Sequence, residues 1–166
     1  MSSLLKACYL GLICLVLSAC AKQLPVLQQA PNPVLSTAAT SLQLTWEKAG
    51  QIDEQYLLVI QQQQDTSRWS LFDPIGIPVL RQQLVGKQWQ AEGLLPPNAQ
   101  AMSWLHAVLF ALLDTTKATK VYADLYLNPM QRTLENFWLV SYLEKGAFMI
   151  EFSDASVLTV RPMDMQ

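Results

Sequence analysis

The chain has 166 residues, a formal net charge of −2 and 14% charged residues, so it lacks the basic surface of a nucleic-acid binder. Its single histidine cannot by itself supply a zinc or iron site. The length suits one domain with a sizeable core.

Residues 1–19 read as a secretory leader. Lys6 is followed by an apolar run over residues 7–17, which ends in Leu17-Ser18-Ala19-Cys20. This is the pattern of a lipoprotein signal. Small residues admit the peptidase to the backbone, and the Cys20 thiol accepts a diacylglyceryl group, which makes Cys20 the acylated mature N-terminus. Two alternatives are weaker. A spanning helix needs ~20 apolar residues, more than this run has, and a chance cysteine would not fall in register with the end of the run. Ala21 stands where an aspartate would retain an enteric-type lipoprotein at the inner membrane, so the expected location is the outer membrane, facing the periplasm. Cleavage leaves 147 residues, with 10 Lys and Arg against 13 Asp and Glu. Cys8 and Cys14 leave with the leader, so no disulfide is expected. The only expected non-protein group is the covalent acyl anchor on Cys20.

Residues 20–40, with Pro25, Pro31 and Pro33 among Gln, Ser, Thr and Ala, read as an acylated tether. The globular domain is expected over residues 41–166. Leu42, Leu44 and Trp46 alternate with Gln43, Thr45 and Glu47, and residues 55–62 place Tyr56, Leu58 and Ile60 on one face. Residues 68–72, 78–84 and 87–91 complete a five-strand meander. Pro96-Pro97 then breaks the strands, and Asn98 is a suitable N-cap for a helix. Met102, Leu105, Leu109 and Leu112 recur at helical spacing, and Trp104, Val108 and Phe110 widen the apolar face, so this helix should be buried. Residues 114–127 are ambiguous, with Lys117, Lys120 and Asp124 on one side of a possible second helix ending near Asn128-Pro129. Strands resume at 137–143, 148–152 and 157–161. The order predicts an α+β domain, one antiparallel sheet with helices on its concave side.

Catalytic parts are scarce. The sequence has no Gly-x-Ser-x-Gly elbow, phosphate loop or Gly-x-Gly-x-x-Gly. His106 lies in the apolar helix, where a packed histidine is the simpler reading than a base. Asp53 with Glu54, and Glu144 with Glu151, read as solvated charges at turns and strand ends. No catalytic residue and no metal ligand is assigned, and binding is favoured over catalysis. Five tryptophans could form a dry core or line a lipid cavity, and composition does not separate the two.

One turn stands out. Asp73-Pro74-Ile75-Gly76 connects the third and fourth strands, and its chemistry pushes Ile75 to the tip. Whether Ile75 folds back or meets an apolar partner stays open at this level.

With its lipobox, polar tether, Asx-Pro-aliphatic-Gly turn, tryptophan-bearing helix after a proline break and closing strands, the chain resembles the LolB-like group of outer-membrane lipoproteins. The resemblance runs in order over most of residues 42–161, and the turn is its one compact motif. It implies a LolA/LolB-like half-open antiparallel β-barrel whose helices cover the concave face and enclose a cavity for acyl chains. It also implies a monomer that receives acylated cargo from a periplasmic LolA-like carrier and releases it into the outer membrane. Pro74, Ile75 and Gly76 would form the membrane-contacting turn. Trp46, Tyr56, Leu58, Trp69 and Leu71, with Leu105 and Leu109 from the helix, would line the cavity. The chain is shorter than LolB and looks closer to a LolB-related branch, some members of which are encoded beside polyketide or aryl-polyene lipid genes. Its cargo could therefore be a lipid rather than a lipoprotein. Two other readings remain: a structural or assembly lipoprotein with a filled core that acts through protein contacts, and, more weakly, an envelope hydrolase.

Overall fold

The computed structural model describes residues 24–31 and 39–163. The leader, Cys20 and the remaining parts of the expected tether lie outside these residues. Alternation of apolar and polar side chains produces the strands β1 (Ala39–Lys48), β2 (Gln51–Gln63), β3 (Thr66–Phe72), β4 (Pro78–Val85) and β5 (Gln88–Ala91). After the helices come β6 (Leu125–Leu127), β7 (Gln131–Leu134), β8 (Trp138–Tyr142), β9 (Phe148–Phe152) and β10 (Val157–Pro162). They form a single antiparallel sheet in the order β5-β4-β3-β2-β1-β10-β9-β8-β7-β6. The second meander therefore returns to pair β10 with β1, and β5 and β6 are the free edges.

The register sorts the side chains onto two faces. Leu44 lies between Tyr56 and Val160, and Leu58 lies opposite Leu71. That face is apolar and buried, while Gln43, Leu57 and Phe72 share the other.

Helix α1 (Ala99–Leu112) lies on the apolar face. Asn98 starts it, its Oδ1 accepting from the Ala101 amide at 2.9 Å, as an N-cap should. From Trp104 to Ala111 every residue of the helix is buried. The sheet must curl to achieve this. The start of α1 lies against Leu80 and Gln82 of β4, and its far end meets Arg132 of β7. Those strands stand seven places apart in the sheet, or about 34 Å if it were flat, whereas a helix of this length spans about 21 Å. Irregular pairing at Trp46/Glu47 and at Leu71/Phe72 helps the strands bend.

Arg132 secures the far end of α1. It is buried on β7, and its Nη1 donates to the carbonyls of Phe110 at 2.7 Å and Leu113 at 2.8 Å. The Tyr142 hydroxyl donates to Ala111 O at 2.9 Å. Carbonyls of a last helical turn have no partner within the helix, so these donors satisfy groups that burial would otherwise strand. The guanidinium also sits over the Phe110 and Tyr142 rings, 5.5 and 5.6 Å from their centroids.

Several elements differ from the sequence reading. The ambiguous segment 114–127 holds only a short helix, α2 (Thr115–Val121), capped by Asp114 Oδ1 on the Lys117 amide at 2.8 Å. Lys117 and Lys120 belong to it, but Asp124 lies beyond its end in a left-handed turn, and β6 follows. Strand β7 has no counterpart in that reading, because of its two inward positions, Arg132 and Leu134, the periodicity counts the arginine as polar. The tether expectation also needs correction within residues 24–31. Leu27 is 4% exposed and joins the core, Pro31 is buried, and the Gln28 amide donates to Val121 O at 2.9 Å. Leu27 and Pro31, with the Gln28 amide, seat this stretch.

Replacing Arg132 with Met should lower stability by about 3 kcal/mol, since two buried carbonyls lose a charged donor, and Tyr142→Phe by about 1 kcal/mol. Urea unfolding measures both. A change below 1 kcal/mol for Arg132→Met would show that α1 does not depend on this cap.

Candidate functional site

Strand direction defines two ends of the sheet. The β1–β2 and β3–β4 turns, the start of β6 and the β9–β10 turn share one end, here called the rim. The β2–β3 turn, the β8–β9 turn and the first residue of β1 lie at the other.

The sequence-predicted turn projects from the rim. Asp73 Oδ1 accepts from the amides of Ile75 at 3.1 Å and Ile77 at 2.7 Å, and the Asp73 carbonyl accepts from Gly76 N at 3.0 Å. Gly76 adopts φ +85°, a conformation that L side chains resist. Pro74 holds the first corner. With the backbone braced from within, the Ile75 side chain projects into solvent and is 81% exposed; Ile77 is 55% exposed. The possibility that Ile75 folds back onto the domain is thus set aside.

Two grooves flank the turn. One, of about 440 Å³, is lined by Gln43, Tyr56, Leu57, Phe72, Pro74 and Met163, among others. The other, of about 640 Å³, runs between the turn and the β1–β2 hairpin, along Ile52 to Tyr56 and past Val79. The hairpin outreaches β3, whose pairing with β2 begins only at Leu57, and this leaves Ile52 63% exposed on the rim. Sequence reasoning missed Ile52, because a lone isoleucine in Gln-Ile-Asp-Glu shows no period.

Tyr56 lines both grooves and links them to the interior. Its ring lies 5.0 Å from that of Trp104, which lies 5.0 Å from Trp46, which in turn meets Phe152 edge-on at 5.3 Å. Four aromatic rings thus close the concave face next to the projecting turn.

The structure brings the seven predicted lining residues into one layer but corrects the idea of an open cavity there. Trp46 is 6% exposed, and Leu58, Trp69, Leu71, Leu105 and Leu109 are at 0%. Only Tyr56 is half-buried. The apolar circumference of α1 fills the space that the curled sheet encloses, so these side chains form a close-packed layer. Cys20 lies outside the described residues. No helix among the described residues is long and apolar enough to cross a membrane.

His106 shares this layer. It is 7% exposed, its ring lies 5.3 Å from that of Trp89, and its Nδ1 has no hydrogen-bond partner. Burial pushes its pKa down to about 4, so it is neutral at pH 7. No protein-family model and no curated protein matches the chain.

Because the folded-state pKa of His106 lies below the unfolded value near 6.5, the unfolded chain takes up the proton first as the pH falls. The contribution of neutral His106 is complete above about pH 6.5 and is lost toward pH 4. Between pH 7 and pH 5 the loss should be about 2 kcal/mol, and His106→Met should remove that component. Urea unfolding of both proteins at the two pH values measures it. Equal losses would show that His106 is not the titrating group.

Proposed function

We propose that this protein is a lipid-anchored envelope lipoprotein of LolB-like kind, held on the outer membrane by acylated Cys20, that helps insert an acylated cargo into that membrane. The observation that carries the reading is the braced turn. A branched aliphatic side chain held out in water by internal hydrogen bonds has an unfavourable environment unless it enters an apolar phase. Ile75 adjoins grooves that lead through Tyr56 to an aromatic cluster and a largely apolar layer.

The chemistry needed is non-covalent. Each methylene of an acyl chain withdrawn from water is worth ~0.8 kcal/mol, and a bilayer at the rim is a better acceptor than a shallow groove. Because the layer under α1 is packed, cargo taken deeper than the grooves has to displace Tyr56 and Trp104 or shift α1. The finer LolA/LolB assignment, the LolA-like donor and a monomeric state belong to this proposal and rest on the resemblance.

A second reading is favoured by the packed layer itself: a structural or assembly lipoprotein that works through protein contacts and never holds lipid.

Ile75→Glu should leave the urea midpoint unchanged, since the side chain is 81% exposed, and should slow delivery of a fluorescent diacyl lipopeptide to phosphatidylcholine vesicles by tenfold or more. An unchanged rate would remove the turn from the mechanism. Mass spectrometry of organic extracts from protein purified without its acyl anchor separates the two readings: stoichiometric acyl lipid supports the carrier, and repeated absence supports the packed structural protein.

A further inference from the structure

The docked stretch of residues 24–31 carries a consequence for how the domain meets a membrane. The chain enters the sheet at Ala39, which pairs with Gln61 near the β2–β3 turn, at the end away from the rim. If nothing held the preceding residues, an anchor at Cys20 would be joined to that far end by nineteen residues, up to about 65 Å of chain. Leu27 and Gln28 change this. Leu27 is inserted in the core, and the Gln28 amide is bonded to Val121 O, at the end of α2 and four residues before β6 begins at the rim. Only eight residues separate Cys20 from Gln28, which limits the leash to about 29 Å and moves its origin toward the end that carries Ile75.

Exposure of apolar side chains does not by itself choose an end. Ile52, Ile75 and Ile77 are exposed on the rim, but Met130 and Leu143 are exposed at the opposite end. The docked stretch breaks the tie, and Val26, beside Leu27, is itself 85% exposed.

We propose that residues 24–31 act as an orienting clasp: docked on α2, they hold the acylated N-terminus at the rim, so that Ile52, Ile75 and Ile77 rest on the bilayer. This rests on the reading above that Cys20 is acylated and that the rim meets lipid. The lipid surface is a zwitterionic one. Glu47, Asp53, Glu54, Asp73, Asp124, Glu135 and Asp154 occupy rim turns and strand ends, against Lys48 there and Lys120 in the last turn of α2, and this excess of negative charge opposes anionic headgroups.

The test uses the full acylated protein in phosphatidylcholine vesicles. With Cys8 and Cys14 removed and Cys20 acylated, Ile52→Cys or Leu143→Cys supplies the single reactive thiol for an environment-sensitive fluorophore. The probe on Ile52→Cys should be quenched by nitroxide-labelled lipid and the probe on Leu143→Cys should not. Adding Leu27→Ser, or Gln28→Pro, which removes the donor and leaves Leu27 in place, should reduce rim quenching at least threefold while flotation with vesicles is unchanged. Replacing a third of the phosphatidylcholine by phosphatidylglycerol should also reduce it, and an increase would overturn the headgroup assignment. Unchanged rim quenching in both clasp variants overturns the clasp and leaves the membrane-facing rim standing. Absence of quenching in the parent, with flotation intact, overturns the membrane-facing rim. Failure to float overturns the anchor.

Discussion

A helix that is apolar around most of its circumference cannot rest on a flat sheet, because half of it would face water. That constraint organises the molecule. Trp104 to Ala111 are buried on all sides, and much of their cover is the sheet, bent until strands seven places apart meet the same helix. Curvature, the pairing of β10 with β1 and the burial of Arg132 follow from it. An arginine is costly to bury, and here its cost is offset because the helix end it meets would otherwise bury bare carbonyls.

The same constraint bears on function. Filling the trough with α1 gives the protein an interior finished by its own side chains, and leaves the ends of the strands, the rim among them, as places where apolar groups meet solvent. The projecting turn, the β1–β2 hairpin and the grooves between them are consequences of strand length: β1 and β2 run on past the point where β3 ends, and the turn after β3 has to stabilise its own shape through Asp73. A site of this kind is made by the ends of strands rather than by the faces that periodicity describes.

This explains which features could be read from residues alone. Alternation around Leu42 to Trp46 and Tyr56 to Ile60, the Asn98 cap and the Asp73-Pro74-Ile75-Gly76 turn each rest on local chemistry, and each has its counterpart in the structure. Arg132 was illegible because its inward direction depends on a helix end 19 to 22 residues away in sequence. Leu27 was illegible because the surrounding prolines and glutamines signal a free chain, and a single leucine finds its niche only once α2 exists. Whether the tryptophans form a core or line a hollow could not be decided either, since both use the same side chains; the packing of Trp46, Tyr56 and Trp104 decides it for this conformation.

The two free edges have a further meaning. β5 and β6 are very short and share no ladder, so the curled wall is a strip with a seam rather than a tube. Widening a tube requires tearing main-chain hydrogen bonds along its length. A seamed wall can flatten by a small change in twist at every strand, with all its ladders intact, and its resistance comes from side-chain packing and from the bonds of Arg132 and Tyr142 to the end of α1. Any expansion of this interior is thus governed by side chains and leaves the main-chain ladders untouched.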